Sequence, residues 1–324
     1  MATTSAPNFL HGKNTRVLFV NPLFSSAVIT ANTTNGSAVI VSTTVIGPAS
    51  LGQSVSGSGI PSGATITAIQ GQNITLSAAA TATASGVSVT LSSTGAGFDL
   101  SPFFNDASVT YAVAAEETTT FLQGGSKTFI PGLKDGTITL SGFHDGTIGG
   151  TSAIIHGATS TAGDKSVLVF PAGGTTDNER CLMANGVTTK FDIKSPVAGV
   201  VTNDMELQAD GGVWRGNGQY LVVSTTGNST AYTSTPAASS GTASTTKGGS
   251  LIMGISTVVG TNPTISLAFQ HSQDGTTWAN LATFSSAGGS VTLLTGTIYQ
   301  YTRLAWTIGG TNTSAVIYYG FARY

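Results

Sequence analysis

Apolar residues in this chain recur at every second position, in short runs separated by Gly, Ser, Thr and Asn, and that period constrains the fold more than any other feature. Val87, Val89 and Leu91 alternate with polar residues, as do Ile74 and Leu76. The pattern returns at Ile265, Leu267 and Phe269, at Leu304, Trp306 and Ile308, and at Ile317, Tyr319 and Phe321. Successive side chains of a strand point to opposite faces, so a two-residue period marks strands with one face buried. The expected class is all-β, mainly strand with one short helix. That helix is expected around 151–158, where Ala153, Ile154, Ile155 and Ala158 are apolar and Thr151 is placed to cap. Turn clusters stand at Gly57-Ser-Gly-Ile-Pro-Ser-Gly63 and Gly71. The pairs Asp135-Gly136, Asp145-Gly146 and Asp274-Gly275 read as tight hairpin turns, where both central positions need positive φ. The stretch 230–249, rich in Ser, Thr, Ala and Gly, reads as a long mobile loop or linker.

Charge divides the chain. Only 8% of its 324 residues are charged, against about 25% in an ordinary soluble domain. Between Asn21 and Gly97 there is no Asp, Glu, Lys, Arg or His. From Asp99 to Arg215 there are 13 acidic and 7 basic residues, an excess of six acids. After Arg215 only Lys247, Asp274, Arg303 and Arg323 remain. A break this sharp marks an insertion or an extra domain. The expected organisation is a β-sandwich or barrel core from 1–20 and 98–215, and an inserted, uncharged, sandwich-like β module at 21–97. A β region at 216–324 completes the core or forms a second lobe. The net charge of −2 leaves a surface that resists association poorly, so an assembled state is expected.

The residues that carry chemistry are sparse. Cys181 is the only cysteine, which rules out an intrachain disulfide and reads as a small buried apolar residue. His11, His144, His156 and His271 show no i, i+4 spacing for a helical zinc site. No nucleophile elbow, P-loop or strand–GxGxxG–helix occurs. His144-Asp145 falls at an expected turn rather than a dyad. The carboxylates Glu116-Glu117, and Asp204 with Glu206, read as solvated strand faces, because glycosidic chemistry needs two carboxylates held across a bond in space. Trp214, Trp278 and Trp306 could stack on sugars, but Trp306 alternates with core positions and Trp278 follows a turn. Basic residues are scattered and the middle segment is net acidic, which disfavours tight phosphate binding. No enzyme, cofactor, metal site or catalytic residue is expected. With no secretory leader and no apolar run of about 18 residues, synthesis in a cytoplasm is expected.

Three stretches resemble phage tail tube proteins. The first is Phe9-Leu-His-Gly-Lys-Asn-Thr-Arg-Val17, continued beyond the uncharged block by Gly97-Phe-Asp-Leu-Ser-Pro-Phe-Phe-Asn-Asp-Ala-Ser108. The second, Glu117 to Asp145, is similar to a family hairpin in which a Thr-rich strand leads to a Pro-Gly-Leu-x-Asp run, here Pro131 to Asp135. The third joins Gln270-His-Ser-Gln-Asp-Gly-Thr-Thr-Trp278 with Arg303-Leu-Ala-Trp-Thr-Ile-Gly-Gly310 and Phe321-Ala-Arg323. The resemblance implies a structural protein of the virion, assembled in the bacterial host cytoplasm. It implies homo-oligomeric, hexameric rings stacked into a tube, with DNA passing through unbound at ejection. Implied neighbours are the tape measure, terminator and distal tail proteins. The loop Gln123, Gly124, Gly125, Ser126 and Lys127 is the expected contact between subunits. The 21–97 module is expected outside the tube, where host surface glycans are its candidate partner. The competing readings are a capsid decoration or adhesion protein and, further off, a carbohydrate-binding module or glycan hydrolase.

Overall fold

The computed structural model describes residues 12–23, 27–44, 53–91, 94–119, 126–145, 154–156, 164–176, 178–224, 230–233, 244–285 and 288–324. The first strand is β1 (Arg16–Leu23), and six short ones follow: β2 (Ala27–Thr33), β3 (Val39–Ser42), β4 (Val55–Gly57), β5 (Ile66–Gln70), β6 (Asn73–Leu76) and β7 (Ala84–Leu91). Next come β8 (Thr94–Asp99), β9 (Phe104–Glu117), β10 (Phe129–Phe143), β11 (Lys165–Phe170), β12 (Glu179–Lys194) and β13 (Thr202–Ser224). The last are β14 (Thr230–Thr233), β15 (Gly249–Ser272), β16 (Ala279–Phe284), β17 (Gly288–Leu294) and β18 (Tyr301–Arg323). The chain is all-β, as its period requires. Of the expected helix, 154–156 are helical, with Ile155 buried in a core; its other residues lie outside the described ones.

Strands β2 to β7 form a sheet of their own, in the order β4-β7-β2-β3-β6-β5. Its outer strands meet at a bridge between Ser54 and Thr65. There the Val55 N–H donates to the Ala64 carbonyl (2.8 Å) and the Ile66 N–H to that of Gln53 (2.9 Å). The sheet therefore curls until its ends touch, and the two layers of the expected sandwich-like module are opposite walls of one curled sheet. Ile74, Leu76, Val87, Val89 and Leu91, spaced by two, point inward with Ile29, Ile40 and Ile66. Each such aliphatic contributes about 1.5–3 kcal/mol on full burial, which holds the module together without an ion pair.

A twelve-stranded sheet takes the rest, along the path β16-β15-β18-β13-β12-β11-β1-β8. Strands β1 and β8 pair from Leu18↔Asp99 to Leu23↔Thr94. The curled module thus leaves on β1 and returns on β8 at neighbouring positions. Closing a longer loop there costs little, because the entropy grows only as the logarithm of length. Residues 21–23 and 94–97, though uncharged, are part of the large sheet.

The Asp-Leu-Ser turn after β8 has a plain physical basis. Asp99 accepts from the Ser101 N–H (3.0 Å) and from Arg16 Nη1 (3.1 Å). The Ser101 hydroxyl in turn accepts from the Val17 N–H (2.9 Å), and Leu100 is buried beneath. The Arg16 guanidinium lies 3.8 Å above the Tyr220 ring. The turn thereby fixes where β9 starts relative to β1.

Strand β13 has two limbs. Its first pairs with β10 and β12, its second with β12 and β18. Between them the register against β12 jumps from Gly186↔Ala209 to Ala184↔Val213. Gly211 and Gly212 stand in the jump with φ of 76° and 93°, where a side chain is strained. One core, with Ile138, Leu140, Met205 and Leu207, lies under the first limb. Another, with Leu251, Phe269, Trp306 and Ile317, lies in the C-terminal part. The region 216–324 is therefore hydrogen-bonded to what precedes it through one continuous strand.

Two expectations need correction. Asp135-Gly136 is no turn: it lies inside β10, opposite Ala112 and Tyr111. Glycine is needed there for close packing, since a Cβ would sit 2.7 Å from Val213 Cγ2 and 2.9 Å from the Thr110 carbonyl oxygen. The reversal from β9 to β10 falls within 118–128, whereas Asp274-Gly275 does lie between β15 and β16. The second is the loop expected at 230–249. Thr230–Thr233 form β14 against β18, Thr245 bridges Ile298, and 234–243 lie outside the described residues. Backbone pairing to a long neighbouring strand overrides a composition that alone reads as a linker.

Candidate self-assembly surface

Strands β9, β10, the first limb of β13 and the second half of β12 make a four-stranded antiparallel sheet. Val109, Ile138 and Leu207 are cross-strand neighbours on one face, as are Ala107, Leu140 and Met205, and this face covers the core. The other face is hydrophilic. Its rows are Thr110–Thr137–Gln208–Val187, Ser108–Thr139–Glu206–Lys190 and Asp106–Ser141–Asp204–Asp192. With Asp135 and Lys194, at the ends of the same alternation, the face carries five carboxylates and two ammonium groups. Lys190 pairs with Asp192 (3.0 Å) and Lys194 with Asp204. The Lys194 contact holds the Asp204 carboxyl below its usual range. Three carboxylates remain in excess, so the face is electronegative.

Both lateral edges of this sheet are open among the described residues. β9 pairs only with β10, and 187–194 of β12 pair only with β13. Natural sheets blunt such edges with charge or proline. From Ala107 to Ala115 the β9 edge has neither. The two edges run in opposite directions, because four antiparallel strands separate into two up and two down.

Both ends of the sheet are apolar. Beyond the core the β9–β10 ribbon exposes Tyr111, Val113, Phe129, Ile130 and Leu133, the last 86% accessible. At the opposite end the β12–β13 connection exposes Val197 fully and Val200 largely, beside Ile193 and Phe143. The two clusters are roughly 45 Å apart along β10. Apolar groups gathered this way on a surface mark contact sites.

Of the expected subunit-contact loop, Gln123, Gly124 and Gly125 lie outside the described residues. Ser126 and Lys127 are exposed where the ribbon ends. Lys127 Nζ reaches Glu117 Oε2 at 2.9 Å and holds that carboxyl below its usual range. Glu116 is also on the exposed ribbon. Asp204 and Glu206 share the hydrophilic face. Burial raises the Cys181 thiol to about 12, the opposite of what a nucleophile needs. His144 follows β10 and its buried Nδ1 meets no partner among the described residues, so no dyad forms among them through that atom. Among the described residues no three His, Cys, Asp or Glu side chains converge as a metal site. Trp306 is buried, Trp214 packs on Tyr324 (6.0 Å), and Trp278 lies against Arg303 (4.1 Å). Sequence reasoning missed the apolar ends. The run Ser195-Pro-Val-Ala-Gly-Val-Val201, apolar where a turn should be polar, was the available signal.

No family model and no curated protein matches this chain. Among solved structures it is similar to the Dit protein of phage SPP1, described as a paradigm of the hub adsorption apparatus in phages infecting Gram-positive bacteria. The likeness covers 69% of this chain and 96% of that one at 11% identity and a TM-score of 0.28. At that score it assigns no role.

Proposed function

We propose that this chain is a structural protein of a tailed phage virion, the major subunit of the tail tube. The observation that carries the reading is the four-stranded sheet with two uncapped edges of opposite direction. Around a rotation axis, β9 of one copy meets β12 of the next, and their opposed directions continue the antiparallel ladder. With six copies of four strands, spaced about 4.8 Å apart, the circle closes at a backbone diameter of about 37 Å, more once the strands tilt. That is wide enough to pass a DNA duplex. The hydrophilic face would line the bore, where its surplus of carboxylates repels phosphate and keeps DNA from sticking. The apolar ends would stack ring on ring, a head-to-tail contact that does not close and so propagates. The curled module, tethered across β1 and β8, would stand outside the wall.

Electron microscopy of the purified protein at rising concentration tests this. Rings and hollow tubes are expected. A protein that stays monomeric at high concentration, and remains so with tail terminator and tape measure proteins present, would overturn it.

A further inference from the structure

The C-terminal third holds one acidic side chain, Asp274, which is consumed by its own turn. It accepts from the N–H groups of Thr276 and Thr277 (both 2.8 Å) and from the Ser272 hydroxyl (2.8 Å). Arg303, on β18, is half-buried yet has no carboxylate partner among the described residues. A partly desolvated cation normally has one. Burial pulls its pKa below the ordinary guanidinium value.

The guanidinium is nevertheless held in place. Gln270 of β15 stands opposite both Arg303 and Asn280 of β16, so the three form a row on one face. Arg303 Nε donates to Gln270 Oε1 (2.7 Å), and Gln270 Nε2 donates to Asn280 Oδ1 (2.8 Å). The Trp278 ring packs 4.1 Å from the guanidinium carbon. These bonds orient the amides of Gln270 and Asn280. They leave the two terminal nitrogens of Arg303 and Nδ2 of Asn280 able to donate outward. Across three strands the donors span about 10 Å.

We propose that this row binds a carboxylate-bearing sugar, a uronate of a cell-surface polysaccharide. Arg303 takes the carboxylate through its two terminal nitrogens, the fork that fits a carboxylate best. Asn280 Nδ2 donates to a hydroxyl of the same or the adjoining sugar. The indole of Trp278 fixes the guanidinium plane and lends an apolar surface beside it. An extended peptide would dock along the outer edge of β16, the end strand of the sheet, rather than on the face that carries this row. The site lies on β15, β16 and β18, apart from the assembly sheet, and does not depend on the tube reading.

Calorimetry on the full-length protein with trigalacturonate, maltotriose and acetate as probes decides it. Trigalacturonate should bind, maltotriose should not, and acetate should compete only weakly. Arg303→Gln should abolish binding. Asn280→Asp keeps the oxygen that Gln270 needs, places a negative charge beside the ligand, and should weaken binding at least about tenfold with an unchanged melting temperature. If Arg303→Gln fails to fold, Asn280→Asp decides alone. No binding of trigalacturonate at millimolar concentration, equal binding of maltotriose, or an Asn280→Asp protein that binds like the original would overturn the proposal.

Discussion

The curled sheet β2–β7 and the open sheet β9–β10–β13–β12 are built from strands of the same alternating grammar, yet only the second has free edges. The curled sheet meets itself at Ser54 and Thr65 and holds no charged residue. The open sheet carries seven charged groups on one face, apolar clusters at both ends and an unguarded β9 edge. Charge on a β protein does two jobs: it blunts edges against unwanted pairing, and it sets what a face repels or attracts. A sheet closed on itself needs little of the first, which is how a segment of this length can do without Lys and Glu. The open sheet has charge on its face and none along the middle of β9. That placement is the inverse of protection, and it fits an edge meant to be paired.

The contrast can be broken experimentally. Val197→Asp, at a fully exposed position, should abolish stacking while changing stability by no more than about 0.5 kcal/mol. Sedimentation and the melting temperature of the unassembled protein would check both halves, and undiminished tubes would remove the apolar ends from the assembly. Ile74→Ala empties part of the curled sheet's core and should cost about 2–5 kcal/mol there. Hydrogen exchange should then rise across β2–β7 and stay unchanged in β9–β13; a rise in both would mean that the two regions fold as one. Lys194→Ala removes the partner of Asp204 from an exposed face and should cost less than about 1 kcal/mol, less still in high salt. The sign follows from the depressed carboxyl. The stabilisation is present above the ordinary aspartate value and is lost as pH falls through the lower folded value, so the gap between wild type and variant should begin to close at about pH 4 and shrink further in stronger acid. The smallest effect is expected from excising 24–93 and joining Leu23 to Thr94 by a short Gly-Ser link. Polymerisation should be unaltered and the tubes narrower outside; loss of tubes with an intact monomer would assign the module to the subunit contacts.

How much of this was legible beforehand differs by region. The period-two runs at 74–76, 87–91, 265–269 and 304–308 became strands with the expected residues inside, because burial of one face dictates register. The charge gap coincides with the curled sheet, though 21–23 and 94–97 pair within the large one. Asp135-Gly136 misled, because the same dipeptide serves a tight turn and a close strand crossing, and only the tertiary neighbour Val213 distinguishes them. The two-limbed course of β13 was not legible either, since Gly211-Gly212 says that the backbone bends but not toward which partner. The candidate self-assembly surface was hidden for a related reason. An edge is defined by the strand that is missing beside it, and a sequence does not show which strand that is.

The composition of the curled module has a thermodynamic consequence. Between Asn21 and Gly97 there is also no Tyr and no Cys, so no side chain in that block gains or loses a proton. Unfolding it can neither take up nor release protons from its own side chains, and the slope of its stability with pH is zero by linkage. Nor does it hold an ion pair for salt to screen. Excised with both termini chemically blocked, it should melt at the same temperature in acid, in alkali and across moderate ionic strengths. The remainder of the chain, with all 14 of its carboxylate side chains, should not. Moved from one chemical environment to another, the chain would thus carry a domain indifferent to the change.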